Sequence, residues 1–208
     1  KIDIKSDSFF YQDIAIPLAD TTLSLFKQSC KEYFDYFSWV YDHPIDSDEL
    51  IVSYKLTIVR SDFGTSKKKY DIWGSAGIDE SGELSIWITI VIPPKKWQKN
   101  IVIDKSELVG TLAHEIHHIA QSMYSGQLDS PEDEKFSYFL DPMEIEAFHI
   151  GFRAQSELSG SCFSKLAHDY LSQAASSKLS KEEILKVVSV WKETDYPVFS
   201  SVPKSLVA

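Results

Sequence analysis

Cysteine, basic charge and long apolar runs are all scarce in this chain. The two cysteines among 208 residues, Cys30 and Cys162, cannot build a disulfide framework, so reduced and buried thiols are the expectation. Lys and Arg number 21 against 31 Asp and Glu, and the resulting net charge of −10 opposes attraction to nucleic-acid phosphates or anionic lipid. The densest basic run, Lys67-Lys68-Lys69, reads as a solvated turn, so nucleic acid is not an expected partner. The longest mostly apolar stretch, Ile86 to Ile92, is far too short to cross a bilayer and is closed by Pro93-Pro94, so no membrane association is expected. Residues 1–7 lack the apolar core of a secretory signal, which favours a cytoplasmic location.

Apolar side chains, in contrast, make up 43% of the chain and aromatic ones 13%, with 12 Phe, 10 Tyr and 5 Trp. That suffices for a packed core and excludes disorder of the bulk. No Pro/Gly-rich linker divides the length, so residues 1–208 read as one domain.

The pattern along the chain predicts an α+β fold. Leu23, Phe26, Cys30, Tyr33, Phe34 and Phe37 recur at helical spacing after Asp20-Thr21-Thr22, predicting a helix over residues 20 to about 40. A β-rich stretch follows at 50–61, and two more at 70–78 and 84–92 flank Asp79-Glu80-Ser81-Gly82-Glu83, where Gly82 can take positive φ, predicting a hairpin. Asp104-Lys105-Ser106-Glu107 has the form of a capping box and opens a helix over 105–125 that Gly126 can end. After an acidic loop at 129–135, Asp141-Pro142 opens a helix to about Leu158, broken by Ser159-Gly160-Ser161. Helical patterns resume at 163–175 and 180–191 around a Ser-rich break at Ser176-Ser177, and the residues from Thr194 onward read as extended or frayed.

The chemistry concentrates in His114-Glu115-Ile116-His117-His118, which holds three of the six histidines. His-Glu-x-x-His has a mechanical meaning on a helix. Residues four apart project from one face one turn apart, so His114 and His118 can share a tetrahedral Zn²⁺ at about 2 Å. Glu115 can face a metal-activated water without ligating the ion, take its proton as general base, and deliver it to a leaving amine. At about 100° per residue, Leu108, Leu112, Ile116, Ile119 and Met123 fall in one arc of about 80°, taken as the main buried face. His114 and His118 lie almost opposite, and His117 falls to one side, out of ligating position. The alternative is a helix whose surface histidines merely recur.

A catalytic zinc needs a third protein ligand and an open fourth position. Glu144 in the next helix is surrounded by Met143, Ala147, Phe148, Ile150, Phe152, Ala154 and Leu158, whereas Glu146 shares a face with Arg153 and Glu157. A carboxylate aimed at a core must be paired, protonated or bound to a cation, and zinc would meet that need. Asp141-Pro142-Met143-Glu144 is also a capping box, however, so Glu144 has a second use in closing its own helix terminus, and Asp141 is first a cap.

His114-Glu115-x-x-His118, followed after a loop by Glu144 in Pro142-Met143-Glu144-Ile145-Glu146-Ala147, resembles the zincin metallopeptidases of the gluzincin branch, and most closely the small single-domain bacterial or phage-type members. The resemblance covers roughly residues 105 to 155. It implies a zincin-like domain with a small mixed β-sheet packed on the active-site helix, Zn²⁺ held by His114, His118 and Glu144, and Glu115 as general base. A Tyr and a Pro commonly precede the Glu-x-x-Ala helix in those proteins, which points to Tyr138 as a catalytic group. A virion-associated location follows if the gene belongs to a phage. The resemblance also implies an edge strand that binds substrate as an added antiparallel strand, and residues 84–90 look like it; the alternative is an inner strand with Trp87 and Ile88 each meeting a packed layer.

Two departures limit the resemblance. Many gluzincins place an Asp four residues after the ligand Glu to orient a histidine, and here that position is Phe148. The second large domain of the longer enzymes is missing as well. Besides Tyr138, His149 and Arg153 are the groups available as transition-state donors, although His149 is expected to face solvent. His43 and His168 have no expected role. The expected function is zinc-dependent hydrolysis of peptide bonds in a protein or peptide substrate. The alternatives are a metallohydrolase acting on another bond and a catalytically inactive zincin-like scaffold or interaction module, for example in a phage assembly.

Overall fold

The structure, a computed structural model, describes residues 8–29, 36–46, 50–61, 69–80, 82–94, 101–125 and 135–194. Among these the order is α1 (Ser8–Ser29), β1 (Tyr36–Asp46), β2 (Leu50–Arg60), β3 (Asp71–Ile78), β4 (Leu84–Ile92), α2 (Lys105–Ser125), α3 (Lys135–Tyr138), α4 (Pro142–Ser159), α5 (Phe163–Lys178) and α6 (Lys181–Glu193). It is an α+β protein with a mixed sheet. No helix among the described residues is long and apolar enough to cross a membrane. The expectations for Lys67-Lys68, Cys30, Gly126, the acidic loop, the first seven residues and the tail beyond Thr194 fall outside the described residues, as do the side chains of Met123 and His43.

The sheet order is β1-β2-β4-β3, with β2 and β4 parallel and both outer pairs antiparallel. The hairpin of β3 and β4 forms as its turn residues predict: Gly82 has φ of 86°, and its N–H donates to the Asp79 carbonyl at 2.9 Å. Alternation on β2 and β4 sends Val52, Tyr54, Leu56 and Ile58, and Ile86, Ile88, Ile90 and Ile92, to one buried face. That face packs against α1 and α2, and the Tyr54 hydroxyl is satisfied there by Thr22 of α1 at 2.6 Å.

Two elements differ from expectation. The helix expected over 20–40 is α1, which starts twelve residues earlier and ends at Ser29, and Tyr36 to Val40 belong to β1. Aromatic residues at helical spacing also suit an edge strand, and Pro44 is tolerated in β1 because that strand is at an edge and shifts register between Pro44 and Asp46. Residues 84–90 are not an edge strand: β4 is bonded to β2 on one side and β3 on the other, so the edge beside α2 is β3. Smaller differences are that α5 runs through Ser176-Ser177, Leu158 is exposed rather than buried, and the Cys162 thiol is exposed.

The helices of the C-terminal part build a second apolar cluster from Phe139, Ile145, Phe148, Phe152, Ala167, Leu171, Val187, Val188 and Trp191. The Trp191 indole N–H anchors it by donating to the Phe139 carbonyl at 2.6 Å. Helix α4 serves both clusters, giving Ile150 and Ala154 to the sheet side and Ile145, Phe148 and Phe152 to the helical side. Helix α2 is therefore buried nearly all round. Where α2 and α4 cross, two glycines meet: a Cβ on Gly151 would lie 2.8 Å from the Gly110 carbonyl oxygen and 3.3 Å from the His114 Cβ. Only glycine permits this approach, and it is what brings the two helices' polar side chains together.

Candidate metal centre

Each of the two helices that carry the candidate ligands is started by its own local signal. Asp104 caps α2 through its Oδ1, which accepts from the Ser106 N–H at 2.9 Å. Tyr70 completes this end: its hydroxyl accepts from the Asp104 N–H at 2.7 Å and donates to Glu107 at 3.2 Å. Asp141 caps α4, accepting from the Met143 N–H at 2.8 Å, and Pro142 takes the first helical position. The Asp141 N–H points at the Tyr138 carbonyl, 3.4 Å away, so the helix end does not need Glu144 as the second half of a box.

Glu144 turns instead to the histidines. Its Oε2 is buried 3.4 Å from His114 Nε2 and 3.4 Å from His118 Nε2, with no hydrogen bond of normal geometry among the described residues. The two Nε2 atoms are 3.0 Å apart. Tetrahedral ligands about 2 Å from a shared zinc lie about 3.3 Å from one another, so this triangle of two imidazole nitrogens and one carboxylate oxygen fits such an ion. His114, His118 and Glu144 could hold a metal ion, and an otherwise orphaned buried oxygen gains a partner when they do. The surface alternative for the histidines does not apply, because His114 is 8% exposed and His117 fully buried.

The charges respond to this crowding. Burial pulls the Glu144 carboxyl up, but the two imidazoles outweigh it and hold it down at about 2. Burial pulls His118 down, and Glu144, with help from Glu115 and Gln121, reverses that to a net rise. Glu115 is raised, first by burial and then by Glu144, against the pull of both histidines. It sits beside the triangle with β3 on its other side: a Cβ on Gly74 would lie 2.7 Å from Glu115 Cγ.

Tyr138 closes α3 near the same place, its ring 5.8 Å from that of Phe148, and burial together with the negative charge nearby pushes its phenol far up. Tyr170 of α5, which no sequence motif marks, also reaches the site. Its ring is 5.0 Å from Phe148, and burial, Glu144 and Glu115 raise its phenol too. Phe148, at the position where an orienting Asp was expected, lays its ring 4.8 Å from that of His114. The structure separates the other candidates from the triangle. Arg153 is exposed and paired with Glu157 at 3.0 Å. His149 is half-buried against Phe163 rather than solvent-facing, with ring centroids 5.1 Å apart, and His168 pairs with Asp169 at 3.4 Å. Glu146 is not confined to the outer face, since its Oε2 stands 3.4 Å from His117 Nε2. Sequence reasoning missed Gly74, Tyr170 and Gln121, whose Oε1 lies 2.9 Å from His118 Nδ1. A comparison of the chain with protein-family models, with curated proteins and with solved structures finds no match to any of them.

Proposed function

We propose that the protein is a zinc-dependent metallopeptidase of gluzincin type, with His114, His118 and Glu144 as zinc ligands and Glu115 as general base. The observation that carries this reading is the placing of a buried carboxylate, Glu115, beside a three-donor triangle and against an edge strand. Zinc, when bound, supplies Lewis acidity that polarises a carbonyl and acidifies water. The chain's own residues do the rest. Glu115, its carboxyl raised by burial, is a stronger base than a solvated glutamate, suited to taking a proton and returning it to the leaving amine. Tyr138 and Tyr170, both holding their protons tightly, are suited to donate hydrogen bonds to a developing oxyanion. A peptide substrate would add as a further strand on β3, where main-chain pairing orients it across the face of Glu115.

The test is Glu115→Gln. It should retain one zinc per chain and the wild-type melting temperature while cleavage of a denatured protein substrate drops by about 10²- to 10⁴-fold. Equal cleavage by the variant would refute the assigned base. A wild type that binds zinc and cleaves nothing would favour the scaffold reading.

A further inference from the structure

Hydrogen-bond donors and acceptors around Gln121 can be assigned in only one way. Gln121 is buried on α2, three residues after His118. Its Nε2 lies 3.0 Å from the Met143 main-chain oxygen and 3.2 Å from Glu146 Oε2. A carbonyl and a carboxylate only accept, so the amide NH₂ is committed to them and Oε1 is left to face His118 Nδ1 at 2.9 Å. Oε1 also only accepts. His118 must therefore carry its proton on Nδ1, which leaves the lone pair on Nε2, the atom turned toward His114 and Glu144. Flipping the amide would set oxygen against two acceptors.

The same side chain also links the two helices. Met143 directly precedes Glu144 in the first turn of α4, so Gln121 joins the ring of one ligand to the backbone next to another. Glu146, the amide's other partner, stands beside the fully buried His117, its Oε2 3.4 Å from His117 Nε2.

We propose that Gln121 is a positioning residue for the metal centre: it sets the tautomer of His118 and ties the first turn of α4 to α2, holding the His118 and Glu144 donors at metal-binding separation. The inference rests on the reading of His114, His118 and Glu144 as a zinc site. It concerns assembly of that site and needs no substrate to be tested.

The experiment uses zinc alone as the probe, on the full chain, with affinity read by competition against a chromophoric chelator. Long-range ¹H–¹⁵N spectra of the metal-free protein at alkaline pH report the His118 tautomer. Gln121→Met removes both polar ends at nearly constant volume and should weaken zinc by about 10- to 100-fold, with the Nδ1–H form of His118 no longer exclusive. The exchange Gln121→Glu with Glu146→Gln keeps an acceptor for His118 and lets the amide at 146 donate to the carboxylate at 121, but sets oxygen against the Met143 carbonyl; it should restore the Nδ1–H form of His118 while regaining only part of the affinity. Wild-type affinity in Gln121→Met overturns the positioning role and leaves the zinc site standing. A wild type that takes up no zinc overturns both. If Gln121→Met does not fold, the wild-type spectrum decides, because a proton found on His118 Nε2 overturns the proposal without any variant.

Discussion

Gly74 and Glu115 touch with no room for a side chain between them: a Cβ on the strand residue would stand 2.7 Å from Glu115 Cγ and 2.8 Å from Cδ. The β3 main chain thus forms one wall against the carboxylate, while two of the candidate ligands, His114 and His118, lie on the helix that presents it and the third, Glu144, comes from α4. Gly74→Ala should displace Glu115 while leaving His114, His118 and Glu144 in place. Peptide cleavage is expected to fall by about 10²-fold with stoichiometric zinc retained, since a misplacement near 1 Å costs that much. Loss of zinc along with activity would show that Gly74 supports the fold of the site rather than the placing of its base.

The Gly110–Gly151 crossing makes a separate prediction. A methyl at 151 meets the Gly110 carbonyl oxygen, which is backbone and cannot move aside without moving α2. Gly151→Ala should cost about 1–3 kcal/mol of stability and weaken zinc by spreading the triangle. Chemical denaturation and chelator competition measure the two effects, and a variant with both at wild-type level would refute the account of the crossing.

Ligand identity is checked by plasma mass spectrometry on matched preparations. Glu144→Ala should lose stoichiometric zinc, whereas Glu146→Ala should keep it, because Glu146 Oε2 faces His117 and Gln121 rather than the triangle. The reverse result would move the third ligand two residues along α4.

Zinc affinity should fall with pH in a defined direction. Glu144 outweighs burial and raises His118 above the ordinary imidazole value, so zinc must displace a proton held more tightly than usual. Affinity is lost as pH falls through the neutral range, approaching about tenfold per unit once the ring is protonated. Glu144 itself, held at about 2, stays ionised there and adds no slope. Calorimetric titration at several pH values checks this, and a flat profile from about pH 8 to 6 would contradict it.

Packing in the helical cluster is testable away from the site. Trp191 is fully buried and its indole donates to the Phe139 carbonyl, so Trp191→Ala should destabilise by about 3–5 kcal/mol. Thermal melts of the metal-free protein measure it; a shift of a degree or less would mean that the cluster contributes little to the global fold.

Signals that act within a few residues were legible in the sequence alone. Helical spacing put His114 and His118 on one face, Asp104 and Asp141 announced their helices, and Gly82 marked the hairpin turn, because caps, turns and the helical repeat are fixed by local backbone geometry. Other features depended on which elements become neighbours. β3 rather than β4 is the edge strand, since strand order is set by pairing across the sheet and not by hydrophobic pattern. Aromatic residues near 36–40 fit a helix and a strand equally well until β2 paired with them. The turning of Glu144 to the histidines rather than to its own helix end, the glycine contact between 110 and 151, and the link from His118 through Gln121 to Met143 exist only after α2 and α4 have crossed, and the contact of Gly74 with Glu115 only after α2 has packed on β3. Five residues of the chain mark the candidate metal site, and the long-range packing of helix on helix and helix on strand decides which side chains gather around it.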